Sequence, residues 1–142
     1  MDQLDLTALK KACISLEMAV KDASDKSFMH ALSDSQKQLI IAGVIQNFEF
    51  TYELVFKMIK RQLEFDASSP SEVDQYSFRD LLRTAAEKGL VTSVEDWFEY
   101  RRLRNITSHT YNLDKAQEVF DRTVAFKDDA VAVLAELIKR ND

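Results

Sequence analysis

Residues 39–60 read LIIAGVIQNFEFTYELVFKMIK, and this stretch decides the fold. It is apolar nearly all round. Its polar residues gather in a narrow stripe, Gln46, Glu49, Glu53 and Lys57, spaced by 3, 4 and 4. That spacing puts them on one side of a helix and leaves apolar surface on most of the rest. The stretch therefore predicts the longest helix of the chain, over residues 34–65, with more than one packing partner, either in its own bundle or in a second chain. Ser35 with Gln38 has the spacing of a capping box at its start. Glu53 to Lys57 is the favourable order for an i,i+4 pair. Gly43 in mid-helix costs about 1 kcal/mol against alanine, and its expected return is a close helix–helix approach.

Working outward, residues 3–23 place Leu6, Leu9, Cys13, Leu16 and Val20 at alternating spacings of 3 and 4, a second amphipathic helix. Residues 24–33 read as a connector with a short helical piece. On the other side, residues 66–76, DASSPSEVDQY, hold the only proline and read as a chain reversal. Ser77 then caps a short helix with Asp80 three residues on, and Gly89 stands where a left-handed terminating residue is expected. Ser93 with Asp96 opens a further helix whose buried side is Trp97, Tyr100 and Leu103. The last helix, from about residue 114 to 139, has the stripe Ala116, Val119, Thr123, Phe126, Ala130, Val133 and Leu137. The predicted fold is all-α: an antiparallel up-and-down four-helix bundle with one additional short helix, forming one domain over residues 1–142.

Composition agrees. The 142 residues include 2 Gly and 1 Pro, too few to punctuate sheets and tight turns. The formal net charge is -5, so attraction to nucleic acid or anionic lipid must come from a local basic cluster. One cysteine, Cys13, allows no internal disulfide, and on its apolar stripe it reads as a small buried hydrophobe. The longest uninterrupted apolar run, residues 39–45 counting Gly43, is 7 residues, where a membrane span needs about 20. The expected location is the cytoplasm, with no membrane partner.

The local basic cluster is residues 101–111, RRLRNITSHTY. On an ideal helix Arg102, Asn105 and His109 fall at i, i+3 and i+7 and share a face, with Arg101 and Ser108 bordering it and Arg104 on the other side. Three cations on consecutive turns call for an anion. Glu49 and Glu53 can supply it internally, or a ligand phosphate can, because a planar guanidinium donates two parallel hydrogen bonds to it. The first reading is a stabilising arginine–carboxylate network; the second is a phosphate-binding surface with an imidazole placed for proton transfer. Metal-free RNA cleavage needs both a base and an acid, and each chain brings one histidine here. A catalytic reading therefore demands a symmetric dimer. Two glycines build no phosphate loop, no Cys/His spacing suggests zinc, and Glu49 and Glu53 lack the Glu-x-x-His partners of a di-iron bundle. No metal and no cofactor are expected.

The same residues carry a resemblance. Residues 104–109, with Arg104 and His109 at the ends, resemble the Arg-x4-6-His signature of the HEPN superfamily, and with Tyr111 the HepT-type motif. The FEFTYEL segment at 48–54 followed by Lys57, taken with Arg104-Asn105 and residues 108–111, is similar to the nucleotidyltransferase substrate-binding protein family. The resemblance implies a helical bundle that forms a homodimer and binds a minimal nucleotidyltransferase in a two-component, toxin–antitoxin-like system. It implies that Arg104 and His109 form a catalytic pair where RNA is cleaved, and that Tyr111 is the residue that receives AMP. Three readings follow. The first is a nucleotide- or substrate-binding partner subunit, with Arg101, Arg102 and Arg104 holding phosphate, Asn105 and His109 orienting it, and Glu49 and Glu53 in support. The second is a metal-independent endoribonuclease silenced at Tyr111. The third is an assembly bundle without an active site.

Overall fold

The computed structural model describes residues 3–110 and 112–142. Tyr111, the residue the resemblance marks for modification, lies outside the described residues. Those residues form α1 (Thr7–Ser24), α2 (Lys26–His30), α3 (Asp34–Asp66), α4 (Pro70–Asp74), α5 (Phe78–Glu87), α6 (Val94–Ile106), a 3-10 turn (Thr107–His109) and α7 (Leu113–Arg140). No strand occurs among them. The all-helical bundle expected from residues 39–60 is what the chain builds. α2 and α4 are single turns of 5 residues each, and α4 puts Pro70 at its N-terminus, where a missing N–H costs nothing.

α3 is the axis. It packs against α1 and α7, which also touch each other, and α6 closes against α7 and α3. The buried residues of α3 are Val44, Ile45, Phe48, Thr51, Tyr52, Val55, Met58, Ile59, Gln62 and Leu63, a single stripe of helical period. By length and composition α3 is apolar enough to cross a membrane, with a mean hydropathy of 1.3 over its most apolar window. Here it is the central helix of the bundle. The apolar stripes expected on α1 and α7 are buried in full, from Leu6 to Val20 and from Ala116 to Leu137. Phe126 is the hub where α3, α6 and α7 meet. Its ring lies 4.7 Å from Phe48, 5.1 Å from Tyr100 and 5.9 Å from Trp97, each edge-on, the favoured arrangement of aromatic quadrupoles.

Three local expectations are corrected. The capping box of α3 is Ser33 with Gln36, not Ser35 with Gln38. The Ser33 hydroxyl accepts from Gln36 N at 3.2 Å, and the Gln36 side chain accepts from Ser33 N at 2.9 Å. Gly43 makes no close helix approach within the chain, since a Cβ built there meets nothing within 4 Å. Glu53 turns to Arg104 rather than along its own helix to Lys57. Gly89 does take the left-handed conformation, φ 78°, and ends α5.

Candidate functional site

The basic stretch lies on α6 and the turn that follows it. Its Ser93 cap holds as expected, accepting from Asp96 N at 3.2 Å, and Trp97, Tyr100 and Leu103 face the core. Tyr100 donates a short hydrogen bond to Asp129 of α7, which fixes the helix in rotation. Burial, then that carboxylate, pushes the Tyr100 hydroxyl far above its ordinary value. With this register set, residues 101, 102, 104 and 105 lie on the outer surface.

The helix does not continue to His109. The Thr107 hydroxyl donates to the Arg104 carbonyl at 2.7 Å, and Thr110 donates to the Thr107 carbonyl at 3.0 Å. Such local side-chain bonds compete with the α-helical ladder, and the chain tightens into the 3-10 turn. The single face expected for Arg102, Asn105 and His109 is therefore corrected: the α-helical register ends at Ile106, and His109 sits, exposed, on the separate turn.

The arginines diverge. Arg104 points to α3: its Nε donates to Glu53 at 2.8 Å, an Nη lies 3.6 Å from Glu49, and the other Nη donates to Thr107 at 3.2 Å. Glu49 and Glu53 are thus its partners, as anticipated, and the guanidinium is held from three sides while remaining half-buried. The same two carboxylates line a shallow groove of about 360 Å³ with Gln46, Asn47 and Phe50. Burial raises the Tyr52 hydroxyl to about 12, with Arg101 and Arg104 opposing the shift. Arg102 does not share these carboxylates. It bridges Glu99, at 2.6 Å, and Glu118 of α7. Hydrogen bonds to both raise the guanidinium well above its ordinary value, and Glu99 is held below its own.

Arg101 takes a third course. Its guanidinium lies 3.9 Å over the ring of Phe78, the first residue of α5. Reciprocally, Arg79 of α5 lies 4.7 Å over Phe98 of α6. Arg101, Arg102 and Asn105 line an open cleft of about 420 Å³ with Ser77, Phe78, Arg79 and Phe98. Sequence reading missed Phe78, Arg79 and Phe98. The signal was present on α6, because 98, 101, 102 and 105 have helical spacing, but nothing in the chain order announced that α5 would supply the other wall. Among the described residues no group of three His, Cys, Asp or Glu side chains is placed to hold a metal ion.

Comparison with known proteins adds the following. Residues 4–139 match the family described as nucleotidyltransferase substrate binding protein like. The chain belongs to that family. A relative from Haemophilus influenzae, described as a probable ribonuclease HepT, is 41% identical over 140 residues, covering 99% of this chain and 96% of its own. A solved Haemophilus influenzae structure superposes with a TM-score of 0.90 at 40% identity, covering 94% of this chain and 98% of the other. It is described as revealing the fold of a substrate binding domain of a nucleotidyltransferase. A Thermus thermophilus structure shares the fold, with a TM-score of 0.67 at 24% identity over 91% of this chain and 98% of that one.

Proposed function

We propose that this protein is the partner subunit of a small nucleotidyltransferase in a two-component, toxin–antitoxin-like pair, and that its α6 face holds the phosphates of the pair's substrate. The observation that carries the reading is its likeness, across nearly all of both chains, to a structure described as a nucleotidyltransferase's substrate binding domain. The outer face of α6, with Arg101, Arg102 and Asn105 on one cleft, suits the role, because guanidinium groups recognise phosphate by paired N–H donors. The pair works in the cytoplasm, where nucleotides and RNA are. Co-expression with a minimal nucleotidyltransferase from the same genome tests the proposal. A complex that survives gel filtration, with melting shifted by nucleotide, supports it; two separate peaks and no shift refute it.

A second reading, a metal-independent endoribonuclease, is favoured by a specific arrangement. Arg104 is held in place by Glu53, Glu49 and Thr107, and His109 stands exposed on the next turn. In the reaction a base removes the proton of the RNA 2′-hydroxyl, whose oxygen attacks the adjacent phosphorus. The bond to the 5′-oxygen breaks, an acid protonates that oxygen, and a cyclic phosphate remains. Arg104 neutralises charge on the phosphoryl oxygens while His109 moves a proton. One histidine fills one of the two proton-transfer roles, so two copies of the chain act together in a homodimer. Tyr111 is the site of silencing by AMP. Wild type is expected to cleave RNA in chelator while Arg104→Ala and His109→Ala do not. Equal activity in the variants removes the reading, and AMP found only on residues other than Tyr111 removes its regulatory part.

A further inference from the structure

The arginines of the outer surface differ in what their donors do. Arg104 and Arg102 give N–H groups to carboxylates. Arg101 and Arg79 do not; their contacts are with ring faces, Phe78 and Phe98, and no carboxylate pairs with either among the described residues. A cation–π contact uses the flat face of a guanidinium and leaves its edge, where all five N–H donors lie, unspent. The contact also fixes the group in orientation, which reduces the entropy cost when an anion binds. The arrangement is a clasp. Each of the two helices lays an arginine on the other's phenylalanine, and the two rings are 6.0 Å apart. Phe78 is in turn anchored by Phe56 of α3 at 5.3 Å, and Phe56 by Tyr52 at 6.4 Å, so a ladder of rings connects the clasp to the core.

Arg79 and Arg101 line the one cleft with their donors unspent, so an anion spread along it can accept hydrogen bonds from both. The cleft is an open trough, not an enclosed pocket, and it runs along α6 to Asn105, the residue after Arg104. An open trough suits a polymer passing through better than a small molecule that must be surrounded.

We propose that the α5–α6 cleft is a binding track for the phosphate backbone of single-stranded RNA, with Arg79 and Arg101 as its phosphate ligands and Arg102, tied to Glu99 and Glu118, as part of its wall. This deepens the phosphate-surface reading above and rests on it for the choice of phosphate as ligand. It also reassigns the phosphate-binding role from Arg102 to Arg79, a residue that belongs to a different helix.

The test uses the full chain without any nucleotidyltransferase and a fluorescent 2′-O-methyl oligoribonucleotide, which lacks the hydroxyl needed for cleavage. Anisotropy is read across a salt series. Wild type should bind, with log K falling linearly in log salt. The Arg79→Gln/Arg101→Gln double variant should bind about tenfold or more weakly, and its salt slope should shrink by about 1.4, from about 0.7 for each single-strand phosphate that is no longer neutralised. Arg101→Lys, which keeps the charge but not the flat guanidinium, should fall between the two. Arg83→Gln, on the exposed side of α5 and outside the cleft, should match wild type and so controls for loss of general charge. Wild-type affinity and slope in the double variant overturn the proposal, as does the absence of binding by wild type. ATP competing as well as the strand, phosphate for phosphate, also overturns it in favour of a mononucleotide site. Because no partner and no cleavage enter the assay, a failure here leaves complex formation and RNase activity to their own tests.

Discussion

At the scale of single residues, what a side chain can do is set by what already occupies it. Arg101, Arg102 and Arg104 look equivalent in the sequence, yet one lies on a ring, one bridges α6 to α7 and one joins α3. Glu99 shows the energetic side. Arg102 holds its carboxyl below the ordinary 4.5. The folded value is lower than the unfolded one, so the pair's contribution is present above the unfolded value and disappears as pH falls through the folded one. Glu99→Gln should therefore cost about 0.2–1 kcal/mol at neutral pH, the range of exposed pairs. The difference from wild type should close below pH 4.5, as read by denaturant titrations. A constant difference down to strong acid would contradict this. Cys13 has the opposite sign. Burial raises its thiol from 9.0 to about 11, so between those values the folded chain keeps a proton that the unfolded chain releases. Stability should fall as pH rises through that window. A disulfide reagent should modify Cys13 at mildly alkaline pH only when denaturant is present; rapid labelling of the native protein would refute its burial. Of this scale the sequence foretold the burial of Cys13, and it offered Glu49 and Glu53 as one of two candidate anions for the arginines without saying which arginine they would take. It did not foretell the rings under Arg101 and Arg79, because a cation–π contact between two helices leaves no periodic trace in either.

At the scale of elements, helix stripes were legible because period and burial coincide. Every position of the α7 stripe from Ala116 to Leu137 is buried. Ends were less so. Ser33-x-x-Gln36 and Ser35-x-x-Gln38 have the same pattern, and the choice fell to the backbone: Ser33 is extended, ψ 166°, just before α3. α6 stops early because the Thr107 hydroxyl bonds back to Arg104, which apolar spacing cannot reveal. The two glycines make a paired prediction. Gly43→Ala, in mid-helix with open space at the Cβ position, should raise stability by about 1 kcal/mol. Gly89→Ala, at φ 78°, should lower it by about 1 kcal/mol or more. Thermal or urea unfolding reads both. A loss of stability in Gly43→Ala would point to a second chain resting on that part of α3, where Leu39 and Phe50 are 72% and 59% exposed.

At the scale of the molecule, α3 organises the bundle and Phe126 closes it. Phe126 is fully buried among Phe48, Tyr100 and Trp97. Phe126→Ala should cost about 3–5 kcal/mol, since the aromatic walls cannot collapse into the space. A loss below about 1 kcal/mol in equilibrium unfolding would deny the hub. The α3–α6–α7 core also explains how the outer arginines keep their separate geometries: Tyr100 and Leu103 lock α6 from within while residues 101, 102, 104 and 105 face out. The partner role is tested most directly by light scattering on the purified protein mixed with a minimal nucleotidyltransferase from the same genome. One stable species, with the mass of a complex built on a dimer of this chain, is the expected result. Two species that elute apart at their individual masses, at every concentration and nucleotide condition tried, would contradict that role.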